Sequence, residues 1–228
     1  GRVAGYVANF NSYSDILANA LSLKRLSRIV YPDDLYDTVT WHDGSSFSFA
    51  DVLMGMILTF DRAKPASAIF DENHVPDFNS CMSTFGAVQV VSTDPLVIDT
   101  YSDATQPDAE NTAAESDWWP YYVQGQGAWH NLTLGVLAEG AGLTAFSQGK
   151  ADTLEVDWMN MVAGETVEIL NEQLVAWTEG APDGMLPYQP IMSQYVDQAE
   201  LDERVANLAN FYENYGHFFI GTGPLFVE

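Results

Sequence analysis

The stretch Trp41-His42-Asp43-Gly44-Ser45-Ser46-Phe47-Ser48-Phe49-Ala50-Asp51-Val52 constrains the fold more than any other part of this chain. Asp43-Gly44 supplies the positive φ angle that a tight turn needs. The strand composition of Ile29 to Trp41, itself broken by a Pro32-Asp33-Asp34 turn, therefore has to close there. Ser48-Phe49-Ala50-Asp51 then reads as a helix start. The Ser48 hydroxyl is predicted to satisfy free backbone amides, and Asp51 is favoured by the helix dipole. Val52, Leu53, Met56, Ile57 and Phe60 follow on one side at helical spacing, and Pro65 marks the end.

The remaining elements follow from periodicity and punctuation. Val88–Val91 and Leu96–Asp99, joined by Ser92-Thr93-Asp94-Pro95, predict a β-hairpin. Ser102 to Asp117 is acidic, small and polar, the composition of an exposed loop. Beyond it the chain reads as mostly helical. One stripe runs through Trp129, Leu132, Val136 and Leu137 and stops at Gly140. A second runs through Leu154, Trp158 and Met161 and stops at Gly164. A third, Val167, Leu170, Leu174 and Trp177, meets Gly180 and Pro182. The clearest helix begins at Asp197-Gln198-Ala199-Glu200, a capping-box pattern. It carries Leu201, Val205, Leu208, Tyr212 and Tyr215 on one face and ends at Gly216. The expected class is α+β: a small mixed or antiparallel sheet with several helices. We expect a single subdomain over residues 1–228, with a strand- and hairpin-rich half at 1–117 and a mainly helical half at 118–228. Residues 1–23 are too weakly patterned to assign.

Charge narrows the function classes. Eight Lys and Arg against 32 Asp and Glu give a net charge of −24, and beyond Lys64 only Lys150 and Arg204 are basic. Such a surface repels phosphate backbones and anionic membranes, which argues against nucleic-acid binding. It suits cationic ligands, or simply a strongly solvated exported protein, or a high-salt habitat. No run approaches the ~18 apolar residues that span a bilayer. No charged n-region precedes an apolar h-region, so no signal peptide is visible, and a mature form or an excised piece of a longer chain is expected. The lone Cys81 has no partner for an internal disulfide and reads as a small hydrophobe.

The most site-like element is the aromatic group Trp118, Trp119, Tyr121 and Tyr122, with Trp129 shortly after, beside an acidic loop and near Gly125 and Gly127. Ring faces beside carboxylates suit sugars, peptides or cationic amines, although large aromatics also simply fill cores. Asp103, Asp108, Glu110, Glu115 and Asp117 lack the ligand spacing of a calcium loop, as do Asp71, Glu72, Asn73, His74 and Asp77. His42, His74, His130 and His217 are not paired at i,i+3 or i,i+4 with another His or Cys. No metal or cofactor is therefore expected. His217, just past a helix, is read as a partner for the dipole there. No Gly-x-Ser-x-Gly elbow occurs, and Cys81 has no cationic neighbours, so no catalytic residue is assigned. Asn131-Leu132-Thr133 is a formal glycosylation sequon inside a predicted helix.

The Trp41–Val52 block, taken with Asn207-Leu208, Phe211-Tyr212 and the later Gly216-His217-Phe218-Phe219-Ile220-Gly221-Thr222-Gly223-Pro224, resembles the family 5 extracellular solute-binding proteins. These are the peptide/nickel-type receptors of ABC importers. In that family a W-x-D-G-x-x-F-T/S-x-x-D-V strand–turn–helix precedes a G-T/N-G-P-Y/F strand that returns to the larger lobe. The resemblance runs from near Tyr31 to the end of the chain. It implies part of a type II periplasmic-binding-protein-like fold and an extracellular or periplasmic protein. It further implies a tether through an N-terminal signal or lipoprotein segment, a small-molecule or peptide solute, and ABC permease subunits as partners. On this resemblance the chain is a subdomain of the larger lobe, its second lobe would follow Glu228, and it catalyses nothing. Two other classes stand beside it. A glycoside hydrolase fragment would need two carboxylates roughly 5–10 Å apart beside a stacking surface, and an ion-binding interaction module would draw on the acidity.

Overall fold

A computed structural model describes residues 25–104, 108, 127–179, 186–225 and 227. The protein is α+β, with a small antiparallel sheet and several helices. The chain divides into two compact units, residues 1–35 with 56–122, and residues 36–55 with 123–228. The Trp41–Val52 block thus groups with the helical residues that follow it in sequence by far.

In the first unit β1 (Arg25–Val30), β2 (Phe85–Thr93) and β3 (Leu96–Ser102) form a sheet in the order β1-β3-β2. The hairpin forms as its composition predicts, with Asp94-Pro95 between the strands. Register places Arg28 opposite Asp99, and their side chains form a two-point ion pair at 2.7 Å. On the other side Gln89 lies opposite Asp99, and the Tyr101 hydroxyl donates to Gln89. Bulges between Phe85 and Ala87 and between Val90 and Ser92 shift the register and bend β2. Phe60 packs edge-on against Phe78 and is tilted against Phe85, joining helix to sheet in an aromatic core.

The second unit holds the end of the strand–turn region. Leu35–Thr38, expected as strand, is instead a single helical turn, α1. It grows out of the Pro32 turn through the Leu35 amide and the Pro32 carbonyl. Thr40 then bridges Ser46, and Gly44 sits at φ +90, so the Asp-Gly turn closes as the sequence requires. Helix α2 (Phe49–Asp61) follows. Every residue from Phe49 to Phe60 is buried, so the predicted apolar stripe belongs to a helix enclosed all round.

Of the later helices, α4 (Trp129–Gly140), α6 (Glu165–Thr178) and α8 (Gln198–Tyr215) pack together. The label α3 is given to Val75–Met82, in the first unit. In α6 the stripe Val167, Leu170, Leu174 and Trp177 is buried as expected. Asp197 caps α8 by accepting from the Glu200 amide, and Gly216 ends it at φ +71. The inward face of α4 differs from the expected one. Trp129 and Leu132 are buried, but Leu137 is 37% exposed, and His130, Asn131 and Glu139 face inward.

The second predicted stripe does not form a helix. The helix α5 (Gln148–Leu154) ends where Glu155 takes a left-handed φ of +56. Asp157–Trp158 (β5) then pairs in parallel with Thr144–Ala145 (β4). Leu154 and Trp158 remain 44% and 56% exposed. Backbone pairing with a separate segment wins here over helical spacing, reinforced by Thr144 Oγ1 donating to the Asp157 carbonyl. A short helix, α7 (Gln189–Met192), precedes α8. Among the described residues no helix is long and apolar enough to cross a membrane.

Candidate functional site

The turn that closes at Gly44 also aims its acid inward. Asp43 Oδ1 accepts from the Ser45 amide at 3.0 Å, and Oδ2 accepts from the Ser45 hydroxyl at 3.1 Å. These local bonds fix the carboxylate where His130 of α4 reaches it, with Nε2 2.7 Å from Oδ2 and both side chains fully buried. The other ring nitrogen, Nδ1, faces Arg204 Nη1 at 3.3 Å. A guanidinium only donates, so Nδ1 accepts and the ring's hydrogen sits on Nε2, pointing at Asp43. Burial pushes the Asp43 carboxyl up. The hydrogen bond from His130, with the bonds from Ser45, outweighs it and holds the group below the usual carboxylate range.

Arg204 is the hub. It lies on the apolar face of α8, three residues past Leu201, with its side chain 3% exposed. Nη1 and Nη2 straddle the Asp51 carboxylate, each at 3.3 Å. Nη2 also donates to Ser48 Oγ at 3.0 Å and pairs with Glu200 at 3.2 Å, one turn back on the same helix. Its guanidinium carbon lies 5.8 Å from the centre of the Trp129 ring, within cation–π range.

Asp51 is bonded on every side. It accepts from Trp41 Nε1 at 3.0 Å, the Ser48 amide at 2.9 Å and the Trp129 amide at 2.8 Å, besides Arg204. The helix start is therefore capped by the acid, which reaches back to Ser48. The predicted hydroxyl cap does not operate, because Ser48 Oγ donates to Glu200 instead. Trp129 Nε1 also donates to Glu200, and Asn207 donates to Ser45 Oγ, so the network runs unbroken from the turn through α2 and α4 to α8.

The chemistry of this arrangement is that of a fixed frame. The Ser45 hydroxyl donates to Asp43 and accepts from Asn207, so both sides of it are engaged within the frame. Asp51 and Glu200 are close together, but the same guanidinium holds both. A glycosidase pair needs one acid free to protonate a leaving group and one free to attack or activate water.

A second arrangement joins the turn to the end of the chain. His42 lies beside Asp43, and its amide donates to the Gly221 carbonyl at 2.9 Å. Its Nδ1 accepts from the Gly221 amide at 3.1 Å, and Nε2 faces the Gly223 carbonyl at 2.7 Å. His217, buried at the end of α8, is not a partner for the helix dipole. Its Nδ1 accepts from the Phe219 amide and its Nε2 donates to the Val227 carbonyl, while Gly216 supplies the helix cap.

Of the expected ligand-binding residues, Trp118, Trp119, Tyr121 and Tyr122 lie outside the described residues. Trp129 is fully buried, edge-on to Trp177 and bonded into the Arg204 frame. Asp71 is committed to Arg62 at 2.7 Å and to the Asn73 amide, and His74 faces the Thr59 carbonyl. Among the described residues no group of three or more His, Cys, Asp or Glu is placed to hold a metal ion. Asn131 of the sequon is buried in α4. Cys81 is half-buried, and burial raises its thiol pKa. Sequence reasoning missed Asp43, His130 and Arg204. The usable signal was Arg204, one of two basic residues after Lys64, standing within an apolar stripe.

No protein-family model matches this chain, and a search of curated proteins finds no match either.

Proposed function

We propose that this chain is a subdomain of the solute-binding receptor of an ABC importer, one that braces the larger lobe and shapes the rim of its cleft. The observation that carries the reading is the meeting of the two family-like segments. Trp41–Val52 and Gly216–Pro224 are separated by most of the chain, yet His42 joins them through Gly221 and Gly223. An outgoing and a returning connection of one appended subdomain have to lie side by side in this way. The Arg204 frame supports the same reading, since it locks the outgoing turn and helix to α4 and α8 and gives a receptor lobe the stiffness that hinge closure needs.

The solute on this reading is an oligopeptide or oligosaccharide, for which Trp118, Trp119, Tyr121 and Tyr122 are the proposed stacking residues. The partners are permease subunits, and the protein works outside the cytoplasmic membrane without chemistry of its own. Disrupting the coding sequence in its host and following uptake of labelled oligopeptides and oligosaccharides tests this. Uptake of at least one class should fall severalfold, and unchanged uptake of both overturns the reading.

A further inference from the structure

In the β4–α5–β5 stretch, Leu143 directly before β4, Leu154 at the end of α5 and Trp158 at the end of β5 are all exposed. Parallel pairing of Thr144 with Asp157 and of Ala145 with Trp158 holds the two strands together, and α5 links them. Trp158 is exposed yet fixed. Its Nε1 donates to the Phe146 carbonyl at 3.0 Å, and Phe146 is buried, with its amide bonded to Glu139 at 2.6 Å. A free-swinging indole would lose rotamer freedom on meeting a partner, and this one has already lost it. The charge nearby in the chain is of one sign. Asp152, Glu155 and Asp157 are exposed, and among the described residues none of these carboxylates has an ion-pair partner. Between Lys64 and Arg204 the sequence has a single basic residue, Lys150. It lies in α5, and buried Glu139 holds its ammonium at 2.6 Å.

We propose that this face, centred on Trp158, docks a basic, apolar segment of a partner protein, with an arginine or lysine over the indole and aliphatic side chains against Leu143 and Leu154. Charge complementarity selects that occupant. A cation is attracted by the negative face of the ring and by the three free carboxylates together, and tryptophan is the strongest aromatic partner for one. The exposed leucines favour a peptide segment over a small free cation, because only the segment brings apolar surface to bury against them. A second copy of this chain would bring a net charge of −24 against the same carboxylates, and an anionic membrane is repelled for the same reason. A neutral sugar would use the ring and leave the carboxylates unanswered. The face lies wholly within the helical unit and is independent of the receptor reading.

Calorimetric titration of the full chain with a blocked hexapeptide of alternating leucine and arginine tests it. Binding should be measurable at low salt and weaken as salt is raised. Trp158→Ala should weaken it about two- to fivefold, the size of an exposed cation–π contact, with the circular dichroism of the variant unchanged. Glu155→Gln combined with Asp157→Asn should weaken it by a similar factor, and this pair stands on its own should Trp158→Ala fail to fold. The same loss of charge on exposed positions of α8, Glu203→Gln with Glu213→Gln, should have a smaller effect, which separates the face from the general acidity of the chain. Unchanged affinity in a folded Trp158→Ala variant overturns the proposal, as does an equal loss in the α8 variant. So does a leucine–glutamine hexapeptide that binds as tightly, or binding of maltohexaose that depends on Trp158. A dimer in sedimentation that Trp158→Ala dissolves would assign the face to a second copy and overturn the proposal as well.

Discussion

The two units bury charge in different ways. In the sheet-bearing unit two buried ions near each other in sequence, Arg62 and Asp71, pair directly, the side chains 0% and 1% exposed. Asp71 also caps the short turn before α3, and His74 packs beside Phe78, so the pair serves one stretch of neighbouring sequence. In the helical unit a single Arg204 gathers Asp51, Glu200, Ser48 and His130 from three separate stretches of chain. An isolated buried pair is weak evidence for stability, because its desolvation cost offsets the attraction. A connected network specifies which segments meet, since each mismatched alternative leaves a buried group without a partner. The basic residues are few, and Arg62 and Arg204 are both spent inside. Lys150 likewise reaches Glu139, buried in α4, at 2.6 Å.

The sharpest way to break this contrast is to remove each hub. Arg204→Met should cost about 3–5 kcal/mol in urea unfolding, because it strands the Asp51 carboxylate and takes a donor from His130. Arg62→Met strands the buried Asp71 carboxylate and should lie at the lower end of that range. An equal or larger loss at Arg62 would show that the frame gathered from distant segments has no advantage over the pair of sequence neighbours.

The next effect is steric. A Cβ at Gly135 would lie 2.3 Å from the Phe146 ring, so Gly135→Ala should destabilise the helical unit by about 1–3 kcal/mol. Amide exchange in α4 and α6 should report it, and unchanged exchange there would mean that Phe146 swings aside freely.

Acid should separate the units by the group that titrates. Burial, reinforced by the Arg62 charge, holds His74 below the ordinary imidazole range against the pull of the Thr59 carbonyl, Asp71 and Asp77. The unfolded chain therefore takes up that proton first, so stability is lost as pH falls through about 6.5 toward the folded value. Asp43 has the opposite linkage. Its folded pKa is depressed, so its contribution is intact above the unfolded value of about 3.9 and is lost only as pH falls from there toward the folded one. Exchange in α3 and β2 should rise with mild acid, and His74→Gln should flatten that rise. Loss of protection in the sheet only at the pH where Asp43 titrates would refute the assignment to His74.

The smallest effect tests a failed sequence stripe. Leu154 is 44% exposed, and Leu154→Ser should change stability by no more than about 0.5 kcal/mol, whereas Leu170→Ala, fully buried on α6, should cost about 2–5 kcal/mol. A large loss at Leu154 would restore it to the core.

Legibility followed the range of the forces involved. The cap at Asp197, the stop at Gly216, the turn at Gly44 and the hairpin around Asp94-Pro95 depend on residues within a few positions of one another, and all four were readable. The α6 stripe was readable because apolar spacing alone decided its buried face. The α4 face was misread because His130, Asn131 and Glu139 turn inward against partners such as Asp43 and Lys150, which lie elsewhere in the chain. The candidate site failed for the same reason. Trp129 looked like a stacking surface, but Asp51 and Glu200 hold its two N–H groups inside.

By itself the sequence determined the α+β class, the acidic surface, and the turns and helix ends whose geometry a single Gly, Asp or Pro imposes. Only the tertiary structure decided that β5 pairs with β4, that Arg204 gathers acids from distant segments, and that His42 holds the returning tail. A cap or a turn satisfies its own backbone groups, so its signal is local. A buried charge must be satisfied by whatever the fold brings beside it, and that partner has no fixed spacing in the chain.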